Sequence, residues 1–154
     1  MDVKLLNPFV DGVVNVMSEF GFSDIKKKSV DIKGKSLKSR GVMINVGIVG
    51  EIRGNVVYSM DLEGAKKIAS KMMMGMPVDE FNDMAQSAIS EVSNMITAKA
   101  SINFSELGIE TNISTPALMY GKDFEVKMNM NKVIAIEILL DDIPFEINIA
   151  IEKR

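Results

Sequence analysis

The chain contains no cysteine and no histidine. Without cysteine there are no disulfides, thiol nucleophiles or thiolate metal sites, and without histidine the commonest general base and the commonest metal ligand are missing. Any chemistry must run on carboxylates, amides, hydroxyls and Lys or Arg, or borrow reactive groups from a partner. No apolar stretch approaches the roughly 20 residues that cross a bilayer. The start, "MDVKLLNPFVDG", lacks the basic opening and apolar block of a signal peptide. A cytoplasmic protein without a membrane span is therefore expected. The formal net charge of −3 gives no electrostatic reason to expect a nucleic-acid partner, because phosphate backbones are held mainly by excess Lys and Arg.

What is present fits one packed domain spanning residues 1–154: hydrophobic residues make up 47% and charged residues 25%, close to globular averages. From Val3 to Phe20, Leu5, Leu6, Phe9, Val10, Val13, Val14 and Met17 recur at helical spacing, and Gly21 stops the run. The segment "SDIKKKSVDIKGKSLKSRG" holds seven Lys or Arg and reads as an exposed strand and loop, either a solvated edge or a docking surface for an acidic partner. Two β-rich runs, Val42 to Val49 and Asn55 to Met60, form a hairpin through Gly50 to Gly54. These glycines are not a phosphate loop, since no Gly-Lys-Ser/Thr ending follows. Asp61 then caps a short helix closed by Gly75 and Pro77, and Met72, Met73, Met74 and Met76 read as adaptable packing and not as ligands.

Asp79 is placed to cap the longest helix, running from about Glu80 to about Leu107, with Phe81, Met84, Ala85, Ala88, Val92, Met95 and Ile96 on its apolar side. Four β-prone pieces follow Gly108, and in the last one Ile143, Phe145, Ile147, Ile149 and Ile151 alternate to give a buried face. The order is that of an α+β domain with helices packed on a largely antiparallel β-sheet. On the long helix, Ser87, Glu91 and Asn94 fall within roughly 60° of one another, about 120° from the apolar centre. On periodicity alone such a ridge is solvated surface.

Ser87, Glu91 and Asn94, followed by Pro116 twenty-two positions past the Asn, make a pattern that resembles the CheC/CheX/FliY family of chemotaxis phosphatases. The order of elements, with "GEIRGNVV" in the paired strands before the motif, agrees along nearly the whole chain. The first helix reads Asp11, three residues, Asn15, two residues, Ser18, so it lacks a second Glu and Asn. One motif in a short chain is nearest to the CheX branch. The resemblance implies a CheC/CheX-like fold and hydrolysis of the aspartyl phosphate on the response regulator CheY. It assigns water orientation to Asn94 and a docking bond to a regulator lysine to Glu91. An Asn carboxamide both donates and accepts hydrogen bonds but is no base near neutral pH, which suits a group that holds water without taking its proton. Ser87 either supports the Glu91 carboxylate or meets solvent, and Pro116 shapes a turn backing the helix. The resemblance further implies no cofactor in this chain, Mg²⁺ supplied by the bound regulator, and a homodimer joined through sheet edges. The C-terminal strands are apolar, and an uncovered edge among them would be a natural pairing surface, with the pairing strand itself left open. Two other readings stay open: a non-catalytic flagellar-switch or adaptor module that binds regulators, and an unrelated ligand-binding α+β domain.

Overall fold

The computed structural model describes residues 3–154. After a 3-10 turn at Val3–Leu5, helix α1 covers Asn7–Glu19. It begins later than the apolar spacing suggests because Pro8, in its first turn, has no N–H to donate to the turn before it. Strands β1 (Ile25–Lys33), β2 (Ser36–Lys38), β3 (Gly41–Gly50) and β4 (Ile52–Asp61) follow, then helices α2 (Leu62–Met72) and α3 (Asp83–Glu106). Strands β5 (Thr111–Ile113), β6 (Ala117–Tyr120), β7 (Glu125–Lys127), β8 (Val133–Leu140) and β9 (Ile143–Lys153) complete the chain.

One sheet has the order β1-β8-β9-β4-β3-β5, with β6 also on β3; β2 and β7 make a separate two-stranded ladder. The pairings are antiparallel, as expected for the α+β reading. The three helices lie on one face. There Val56, Tyr58, Ile136, Phe145, Ile147 and Ile149 pack with Phe9, Val13, Met17, Ile89, Val92 and Ile96 in the main core. At about 25 cal/mol per Å² of buried apolar surface this cluster supplies most of the folding drive.

Several boundaries differ from the sequence reading. The β3–β4 connection is shifted by one residue from Gly50 to Gly54, since the last pair of the ladder is Ile48 with Gly54. Gly54 lies inside β4 with φ +143°, and a Cβ there would overlap the carbonyl oxygen of Ala150. Asn82, not Asp79, caps α3: its side chain accepts from the Ala85 N–H at 3.0 Å. Burial of Phe81 carries the extended chain past Asp79 before the helix can start. Met72 and Met73 pack on the core as expected, but Met74 is 97% exposed and Met76 is exposed too. Positive φ at Met74 and Gly75 swings this segment away from the core.

The alternating face of β9 is buried, and so is much of its reverse. Leu37 of β2, with Met128, Met43, Val57, Val133 and Ala150, forms a second small cluster behind the sheet. Beside it Lys33 Nζ donates to both Glu146 carboxylate oxygens, at 2.9 and 3.0 Å. The C-terminal strands are not an edge: β8 lies between β1 and β9, and β9 between β8 and β4. The free edges are β1 on one side and β5 with β6 on the other.

Candidate functional site

Helix α3 is anchored by Ala85, Ile89, Val92, Ser93, Ile96, Thr97, Ala100 and Phe104, all buried. Two of these are polar, and both are satisfied locally. Ser93 Oγ donates to the Ile89 carbonyl at 2.8 Å and Thr97 Oγ1 to the Ser93 carbonyl at 2.8 Å. Thr97 Oγ1 also lies 2.7 Å from the Tyr58 hydroxyl, which burial pushes well above its ordinary pKa despite that hydrogen bond. Tyr58 is thus a neutral pin between sheet and helix. On the flank, α1 approaches closely because Gly12 has no Cβ; one built there would sit 3.0 Å from the Ile96 carbonyl oxygen.

This anchoring turns Ser87, Glu91 and Asn94 outward. Ser87 and Glu91 are exposed and Asn94 is half-buried. Counting the true buried stripe, the ridge lies roughly 160° from the core centre, farther than the apolar residues alone suggest. The difference comes from Ile89, Ala100 and Phe104, buried but not counted on the apolar side, from Ser93 and Thr97, which read as polar but point inward, and from Met84, assigned to the apolar side yet 64% exposed.

The structure brings the fourth member of the pattern to the same place. Strands β5 and β6 both pair with β3, through Ile113 opposite Ile48 and Ala117 opposite Asn45. Between these pairs Ser114, Thr115 and Pro116 oppose only Val46 and Gly47, so one residue is extra and the edge bulges outward. Ser114 fixes the bulge, its N–H donating to the Gly47 carbonyl at 3.0 Å and its Oγ accepting from the Gly47 N–H at 2.7 Å. Thr115, Pro116 and Leu118 then form one wall of an open groove of about 530 Å³ whose other wall is Asp83, Gln86, Ser87, Ser90, Glu91 and Asn94. Pro116 therefore does more than back the helix; it faces the ridge. Asp83, Gln86, Ser90 and Thr115 were not singled out in the sequence, where only their helical spacing or nearness to Pro116 marks them.

Among the described residues, the side chains of Ser87, Glu91 and Asn94 have no hydrogen-bond or ion-pair partner within the chain. The groove carries two carboxylates, Asp83 and Glu91, and no basic side chain, so it suits a cationic group brought from outside. Among the described residues no three Asp, Glu, His or Cys side chains converge where a metal ion could be held, and no helix is long and apolar enough to cross a membrane. The counterpart residues on α1, Asp11, Asn15 and Ser18, are exposed as well, but offer neither the carboxylate spacing nor the amide position of the α3 ridge.

An amphipathic helix presenting an unpartnered Glu and Asn over an antiparallel sheet belongs to the CheC-like class of α+β folds. A CheC-like superfamily protein from Shewanella sp. PV-4 superposes with a TM-score of 0.86 over 99% of each chain at 23% identity. The chain belongs to the chemotaxis phosphatase CheX family, whose profile matches residues 42–139 and so includes the ridge and Pro116. It is 29% identical over 128 residues, 82% of either sequence, to the CheY-P phosphatase CheX of Thermotoga maritima. It also resembles the CheX of Borrelia burgdorferi, solved as a CheX-CheY-BeF3-Mg²⁺ complex, at 26% identity and a TM-score of 0.81 over 99% of this chain and 100% of that one.

Proposed function

We propose that this chain is a phosphatase for the aspartyl phosphate of a CheY-type response regulator, with Asn94 and Glu91 entering the regulator's active site. The observation that carries the reading is the pair itself: a carboxylate and a carboxamide one helical turn apart, facing outward without intrachain partners in an open groove walled on one side by Pro116.

In this reading Glu91 makes a charge-assisted hydrogen bond to a lysine ammonium of the regulator and fixes how α3 enters the cleft. Asn94 accepts from and donates to a water, holding its oxygen in line with phosphorus. The new oxygen–phosphorus bond forms as the bond to the aspartyl oxygen breaks; phosphate leaves as H2PO4− with both of the water's protons, and the free carboxylate is restored. The regulator's bound Mg²⁺ neutralises charge on the phosphoryl oxygens. Ser87, one turn before Glu91, lines the approach and takes no part in bond making.

The test is phosphate release from a response regulator phosphorylated with acetyl phosphate. Asn94→Ala is expected to remove about 10²-fold or more of the acceleration while leaving affinity nearly intact. Equal losses of affinity and rate would contradict the water-orienting role.

A further inference from the structure

Helix α3 carries a second apolar stripe at the margin of the core: Ala88 and Met95 pack partly against it, and Met84 and Ile102 at the two ends do not. Met84, Ala88, Met95, Ala98 and Ile102, with Glu91 in their midst, recur at alternating spacings of four and three residues and so form one seam along the helix. Its two ends, Met84 and Ile102, are 64% and 53% exposed, while the three residues between are half-buried. Isolated surface hydrophobics need no explanation, but large ones placed on one seam mark an interaction surface.

The seam is continuous with the ridge, because Glu91 belongs to both and Asn94 lies one turn further. From Met84 to Ile102 it spans roughly 27 Å, the breadth of a small folded domain. Glu91 stands about 10 Å from the Met84 end, so a domain centred on the Glu91–Asn94 pair covers both ends at once. A short peptide filling the groove beside Pro116 would leave Ile102 bare.

We propose that the regulator domain docks along this seam, with Met84 and Ile102 as apolar anchors on either side of the Glu91–Asn94 pair. The inference rests on the phosphatase reading and adds what holds the partner. The anchors touch no reacting atom; they hold the regulator domain against α3 on either side of the Glu91–Asn94 pair. Their contribution appears in affinity, since the same contacts persist in ground state and transition state.

Steady-state phosphate release from the phosphorylated regulator tests this with Met84→Gln, Ile102→Gln and the double variant, all helix-compatible changes at exposed positions. Thermal unfolding confirms that each variant is folded, and Met74→Gln, exposed but off the seam, is the control. The double variant is expected to raise KM about tenfold with kcat within about twofold of the unsubstituted chain, and the control to change neither. A KM for the double variant within twofold overturns the docking surface while leaving the phosphatase reading intact. If the unsubstituted chain does not accelerate phosphate release, that reading falls. Calorimetric titration with the beryllofluoride- and Mg²⁺-loaded regulator then decides the seam: binding weakened by the double variant supports it, and absent or unaltered binding overturns it.

Discussion

Glu91 and Asn94 have only two residues between them yet differ in what their loss would do. An exposed carboxylate that meets a lysine works by charge, so its contribution is screened within a Debye length of about 10 Å at 0.1 M salt. Glu91→Ala is therefore expected to weaken association with the regulator most at low ionic strength, with the gap to the unsubstituted chain narrowing as salt rises. Titrations across a salt series check this; a salt-independent fall in kcat at saturating regulator would move Glu91 from docking to chemistry. The ridge itself is legible in the sequence only through the resemblance of Ser87, Glu91, Asn94 and Pro116 to a family pattern, because helical periodicity alone reads three outward polar residues as solvated surface. The depth of its surroundings is not. Ser93 and Thr97 look like surface residues, and only their hydrogen bonds to carbonyls one turn back allow them to face the core.

At the scale of the element, α3 depends on how its first turn is closed, because four backbone N–H groups there have no helical partner. Asp79 and Asn82 are equally good caps by residue type, and sequence spacing cannot choose between them. Tertiary burial chooses: Phe81 is drawn into the core, Gln86 Nε2 donates to its carbonyl at 2.9 Å, and the Asn82 side chain is left facing the Ala85 N–H. Asn82→Ala is expected to cost about 1 kcal/mol in denaturant unfolding, whereas Asp79→Ala should stay within about 0.5 kcal/mol. The reverse ranking would restore the longer helix that apolar spacing suggests. The short strand β2, and its pairing with β7, were hidden for a related reason. Three residues carry almost no periodic signal, and the pairing joins segments far apart in the chain, as with the Ser36 hydroxyl donating to Glu125 at 2.9 Å across 89 positions.

At the scale of the whole molecule, the sheet order decides where a second copy can attach. Apolar C-terminal strands invited the expectation of an edge there, but a strand that is apolar on both faces is a central one, and β8 and β9 are enclosed. Of the two true edges, the β5–β6 side is broken by the Ser114–Pro116 bulge, and proline withholds a donor from any added strand. β1 is nine residues long and only partly defended. Lys26, Lys27 and Lys28 are exposed and the register slips between Lys27 and Ser29, both devices that discourage pairing. Beyond the slip, Val30 and Ile32 pair with Ile136 and Ile134 on the helix-bearing side, yet remain 48% and 68% exposed. A homodimer joined through sheet edges is therefore best placed at Val30 to Lys33, where a partner strand would bury both side chains. Full burial of an Ile contributes about 1.5–3 kcal/mol, so Ile32→Lys, which also sets like charges across a two-fold axis, is expected to weaken self-association at least tenfold. Sedimentation velocity over a concentration series measures it, with thermal unfolding at low concentration to show that the protomer is intact. An unchanged association constant would place the dimer contact elsewhere on the molecule.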